Sequence, residues 1–155
     1  MSFMFSNCNA LTSVGDLSGW NLSKVTSLER IFFNCFKLDG LGDLSRWNTS
    51  KVTSLYATFY DCRVLSNLNV SGWNTANVTN MGFTFNRCAS LSSLDLSGWD
   101  TSKVTSMQAK YYGCNKLKKL TLGPKYKFVG TNAMLPTPSS TYIPEADGNW
   151  YDTKN

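Results

Sequence analysis

The chain has 155 residues, of which 42% are hydrophobic and only 16% charged, with a net charge of +5 and no histidine. That suffices for one domain with a sizeable core, and Ser, Thr and Asn supply the polar surface that a typical soluble domain draws from its ~25% of charged residues. The inventory argues against whole classes of function. Without histidine or a C-x-x-C pair a metal site is poorly supplied, no apolar run is long enough to span a membrane, and no nucleophile elbow or facing pair of carboxylates supports catalysis or a cofactor.

The chain opens in mid-unit. Met1 to Cys8 aligns with Met81 to Cys88 and with Met107 to Cys114, so a fragment of a longer array is expected, monomeric as such. The cysteines at 8, 35, 62, 88 and 114, the tryptophans at 20, 47, 73 and 99, and the valines at 25, 52, 78 and 104 keep one period of 26 to 27 residues. Leu11, Leu38, Leu65, Leu91 and Leu117 follow the cysteine register, and one extra residue near Gly15 and another near Gly42 make the longer copies. Columns in phase at this period indicate a repeat array.

Within the copy from Leu91 to Leu117, Leu94 and Leu96 flank Asp95 at the period of a strand. Trp99 and Asp100 then turn the chain, as Asn21, Asn48 and Asn74 do in other copies, since an Asx side chain can bond the backbone ahead. Val104-Thr-Ser suggests a second brief strand. Spacing of three and four, as in Leu28, Phe32 and Cys35, predicts a short α or 3-10 segment. The residue before each cysteine is Asn7, Asn34, Asp61, Arg87 or Gly113, and all but Arg87 are types that tolerate positive φ. No unit can bury its apolar side alone, so parallel stacking is expected to build one core. The fold class predicted is a repeat solenoid, a leucine-rich-repeat-like right-handed coil with short parallel strands and short helical turns. It comprises about four and a half units over 1–117, the first truncated.

Residues 118–155 differ and are assigned as a C-terminal cap. Leu117, Leu120 and Leu122 give a last strand, Gly123-Pro124 breaks the pattern, and Tyr126, Phe128 and Val129 suggest an edge strand. Pro136, Pro138 and Pro144 punctuate the remainder, and Trp150-Tyr151 ends it. An exposed array end needs such cover for its apolar surface.

The signature Trp99-Asp-Thr-Ser-Lys-Val104-Thr-Ser-Met107, running on to Tyr111, Cys114 and Leu117, resembles a bacterial cell-surface repeat of roughly 26 residues. That repeat is also found in mycoplasma-type lipoproteins and is related to the BspA-like leucine-rich repeats. The resemblance covers residues 1 to about 122, and the stretch from Leu120 to Val129, with Leu135-Pro-Thr-Pro, is similar to the segment closing such arrays in wall-anchored proteins of Gram-positive bacteria. It implies a secreted, surface-displayed solenoid serving adhesion or host interaction, and it carries over no catalytic residues.

Each candidate site has a plain structural reading beside the functional one. Five cysteines at the apolar phase are expected to form a buried thiol ladder rather than disulfides or metal ligands. The tryptophans are read as semi-buried packing rather than a sugar-binding strip. Phe33, Phe36, Tyr56, Tyr60 and Tyr112 stand where other copies carry Ser, Asn, Gly or Gln, so they are expected to be exposed and to form a ligand surface. Lys116, Lys118 and Lys119, with Lys125 and Lys127, make a basic patch suited to anionic glycans, wall polymers or lipid headgroups. Nucleic acid is not expected, because no recognised module is present. Asp16, Asp43, Asn69, Asp95 and Thr121 are read as a solvated strand face rather than a calcium site. The ladder Thr26, Thr53, Thr79 and Thr105 leaves ice binding as a minor alternative. The favoured function is a non-enzymatic binding or adhesion module contacting host or environmental proteins or glycans, and the alternative is a structural spacer with no ligand of its own.

Overall fold

The structure, a computed structural model, describes residues 1–137. The cap features Pro138, Pro144 and Trp150-Tyr151 lie outside the described residues. Two regular elements are present: β1 (Ser93–Leu96) and β2 (Lys119–Leu122). They form a two-stranded parallel sheet in which Leu94 faces Leu120 and Leu96 faces Leu122.

This corrects the expected fold class. Among the described residues there is no helix and no further strand, so the leucine-rich-repeat-like right-handed solenoid is not what forms. The backbone of residues 28–35 gives the physical reason. The N–H groups of Leu28, Arg30, Phe32 and Asn34 donate to the carbonyls of Ser54, Tyr56, Thr58 and Tyr60, at 2.8–3.1 Å. The alternate amides of Ile31, Phe33 and Cys35 instead close single turns onto Leu28, Arg30 and Phe32. Half of the donors a helix would direct along its own axis are thus handed to the neighbouring pass of chain. Left-handed residues recur four apart in each pass, at Phe3 and Asn7, Arg30 and Asn34, Ala57 and Asp61, Phe83 and Arg87, and Ala109 and Gly113. A helix cannot propagate through such residues. Arg87, with φ 58°, adopts the conformation its residue type disfavours.

The strands are short for a related reason. Gly15 and Gly42, both at positive φ, lie in the first two leucine stretches and interrupt extended backbone there. Elsewhere pairing shrinks to single parallel bridges, such as Ser27 with Ser54, Ser54 with Asn80, and Asn80 with Ser106. The Tyr126–Val129 stretch forms no strand.

Side chains meet in columns that run across the passes. Phe5, Phe32, Phe59, Phe85 and Tyr111 stack with centroids 5.4–6.0 Å apart. Trp20, Trp47, Trp73 and Trp99 stack at 5.9–6.1 Å with planes within 6° of parallel. These columns and the buried leucines belong to one apolar cluster.

Candidate functional site

Three of the five off-phase aromatics converge on one face. Phe33 stacks on Tyr60 at 4.7 Å, Tyr56 meets Phe83 edge-on at 5.6 Å, and Tyr60 lies 6.3 Å from Phe83. Arg30 is at the centre, its guanidinium over the rings of Phe3, Phe33 and Tyr56 at 5.4, 5.6 and 5.2 Å. Ala57, with its small side chain, stands between Arg30 and Phe83 in their column. The aromatics are half-buried on one another rather than freely exposed, apart from Phe3, which is half exposed. Arg30 Nε is shut off from solvent and has no hydrogen-bond partner. An unmet buried donor costs ~1–3 kcal/mol, an amount that three cation–π contacts of ~0.5–1 kcal/mol each offset. Arg30 and Phe83 escaped the sequence reading because a single basic residue and a phenylalanine in a variable column carry no distinguishing pattern.

Phe36 and Tyr112 are placed elsewhere. Phe36 lies under the Arg63 guanidinium at 4.5 Å, and Arg63 in turn grips Asp61 through two bonds of 2.7 and 2.9 Å. Tyr112 is exposed and lines an open cleft of about 720 Å³ with Asp61, Arg63, Arg87 and Asn115, facing a wall of Met134 to Thr137. Lys116, Lys118 and Lys119 are exposed and do not line that cleft. The backbone fixes them instead: the Lys116 amide donates to Ala89, and those of Lys118 and Lys119 donate to Ser92.

The buried columns have settled partners. Trp47, Trp73 and Trp99 are fully buried, each indole N–H donating to a carbonyl of the preceding pass (Leu17, Leu44 and Val70) at 2.8–3.1 Å. Among the described tryptophans only Trp20 is semi-buried, which corrects the reading for Trp47, Trp73 and Trp99. All five cysteines are free thiols. Cys35, Cys62, Cys88 and Cys114 donate to the carbonyls of Phe5, Phe32, Phe59 and Phe85. Burial pushes the Cys35 thiol up to about 11 and that of Cys114 to about 12. In the acidic column Asp16 and Asp43 accept from the amides two residues on, bonds that hold their carboxyls below the usual range. Asn69 reaches the Asp43 carboxylate at 2.9 Å, so that column stabilises turns. Among the described residues no group of three or more His, Cys, Asp or Glu is placed to hold a metal ion. The hydroxyls of Thr53, Thr79 and Thr105 each donate to the carbonyl of the preceding threonine.

A buried lysine also fell outside the sequence reading. Lys110 is fully buried. Its Nζ lies over the rings of Trp99, Tyr126, Tyr111 and Phe85 at 4.7–5.6 Å, and it donates to Tyr126 Oη at 2.9 Å. Among the described residues no carboxylate pairs with it, and desolvation holds its ammonium well below the ordinary lysine range. The available signal was its column: Ile31, Thr58 and Thr84 precede it in register, all buried.

Among the described residues no helix is long and apolar enough to cross a membrane. No curated protein and no solved structure matches the chain. A family model described as Mycoplasma protein of unknown function, DUF285, matches residues 1–123. The match corrects the resemblance drawn to BspA-like leucine-rich repeats and the mycoplasma-type lipoprotein repeat, because a leucine-rich repeat requires a strand and a helical segment in every unit, whereas the described residues hold two short strands and no helix. With its first 123 of 155 residues matched, the chain belongs to the Mycoplasma DUF285 family.

Proposed function

We propose that this chain is a non-enzymatic binding module displayed on a cell surface, and that it contacts proteins or glycans of its surroundings through the face built around Arg30. The observation that carries the reading is the convergence of Phe3, Phe33 and Tyr56 on a guanidinium whose Nε lacks an acceptor, with Tyr60 and Phe83 packed against those rings. Aromatic residues and arginine dominate the energetic centres of interfaces. Rings also offer flat faces to sugars.

A spacer is the competing reading, favoured by the half-burial of these rings on one another. A panel of mucin, matrix proteins and immobilised glycans separates the two. The module binds at least one class saturably, and Arg30→Gln weakens that binding at least tenfold. A spacer binds none of them, or binds all equally in parent and variant.

A further inference from the structure

Residues 123–137 lie as a strap across the end of the aromatic columns. Its backbone is tied at two places. Thr101 exchanges hydrogen bonds with Lys127, its Oγ1 accepting from the amide at 2.8 Å and donating to the carbonyl at 2.9 Å. The amides of Ala109 and Tyr111 donate to Asn132 and Ala133 at 2.5 and 3.0 Å. Beside the first tie Tyr126 is the buried anchor. Its Oη lies 2.6 Å from Tyr111 Oη and accepts from Lys110, and its ring packs edge-on to Phe128.

Lys110 therefore stands at the seam between strap and columns. Among the described residues the groups facing it are Tyr111 from its own pass, Tyr126 from the strap, Met81 Sδ at 3.5 Å, and the rings of Trp99 and Phe85. None is an anion. Burial raises both tyrosines above their ordinary range, so neither supplies a phenolate near neutral pH. An ammonium without a counter-ion is held at this seam only at a large desolvation cost.

We propose that Lys110 is a proton-sensitive latch that holds the strap, and with it the Met134–Thr137 wall of the Tyr112 cleft. Closed, the seam accommodates the neutral amine. Opened, the amine reaches water and takes up a proton. The sign follows from linkage: the open state binds one proton more, so closure strengthens as pH rises. The dependence spans the interval from the depressed native value of Lys110 up to the ordinary lysine value of about 10.4. Within it each unit of pH shifts the closed-to-open ratio about tenfold. Below the native value both states are charged and the dependence vanishes.

Amide hydrogen exchange on the full chain between pH 6.5 and 8.5 tests this, with protection factors corrected for intrinsic rates. Ala109 and Tyr111 report the strap. Phe32 and Phe59, whose amides donate to Thr58 and Thr84, report the middle of the columns. The latch predicts protection at Ala109 and Tyr111 rising by up to tenfold per pH unit, with Phe32 and Phe59 unmoved. In Lys110→Thr, which restores the residue type of the two preceding passes, the slope disappears. Lys110→Met serves as a second variant. A pH-independent parent, a slope that persists in a folded variant, or a parallel change at Phe32 and Phe59 overturns the proposal.

Discussion

Trp73 shows how a residue is committed here. It stacks on Trp47 and Trp99 and donates its indole N–H to Leu44, so removing the ring opens a cavity in two directions and strands a carbonyl. Truncating a buried aromatic costs about 3–5 kcal/mol, and Trp73→Ala is expected to lose that much in urea unfolding. An unchanged midpoint removes Trp73 from the core. The thiols make a separate prediction. Four are buried and kept protonated, with Cys35 up at about 11 and Cys114 at about 12, whereas Cys8 is half-buried. At pH 8 a thiol reagent is expected to label Cys8 rapidly and the other four only on unfolding. Rapid labelling of Cys62 or Cys88 contradicts the packing. A thiol ladder was legible from the apolar phase of the cysteines. Lys110 was not, because a basic residue in an otherwise apolar or hydroxylic column reads as a surface exception until its neighbours are known.

At the scale of elements the governing fact is where amide N–H groups go. Spacing of three and four residues reads as a helix, yet Leu28, Arg30, Phe32 and Asn34 give their N–H groups to the adjacent pass. Side-chain periodicity reports which residues face inward. It does not report whether the backbone bonds along the chain or across it, and that is why the helical segments were misread. Half of the signal was present: Asn7, Asn34, Asp61 and Gly113 are types that accept a left-handed turn. The second left-handed column, through Phe3, Arg30, Ala57, Phe83 and Ala109, had no compositional mark. Close approach between passes is equally specific. At Gly72 a Cβ would collide with the Ser45 carbonyl oxygen, whereas at Gly19 it would meet open space. Overpacking of this kind costs ~1–3 kcal/mol. Gly72→Ala is therefore expected to lower the melting temperature by several degrees and Gly19→Ala to leave it nearly unchanged. Equal effects at both sites contradict the packing of these passes.

For the whole molecule, the superposed columns place variable positions side by side. That arrangement gathers Phe33 and Tyr56 around Arg30 with Tyr60 stacked on Phe33, while the same geometry sends Phe36 to Arg63 and Tyr112 to the cleft. Five aromatics out of phase were visible in the sequence, but their division between two regions depends on which pass each occupies and on Asn86, buried between Tyr60 and Tyr112 in their column. The central claim is that the Arg30 face is a binding surface. The most direct test is a calorimetric titration of the strongest partner from the protein and glycan panel against three chains: the parent, Arg30→Gln, and Tyr112→Ser as a control in the cleft. Binding lost at least tenfold in Arg30→Gln and retained in Tyr112→Ser is the predicted result. Equal affinity for the parent and Arg30→Gln, or a loss confined to Tyr112→Ser, would contradict it.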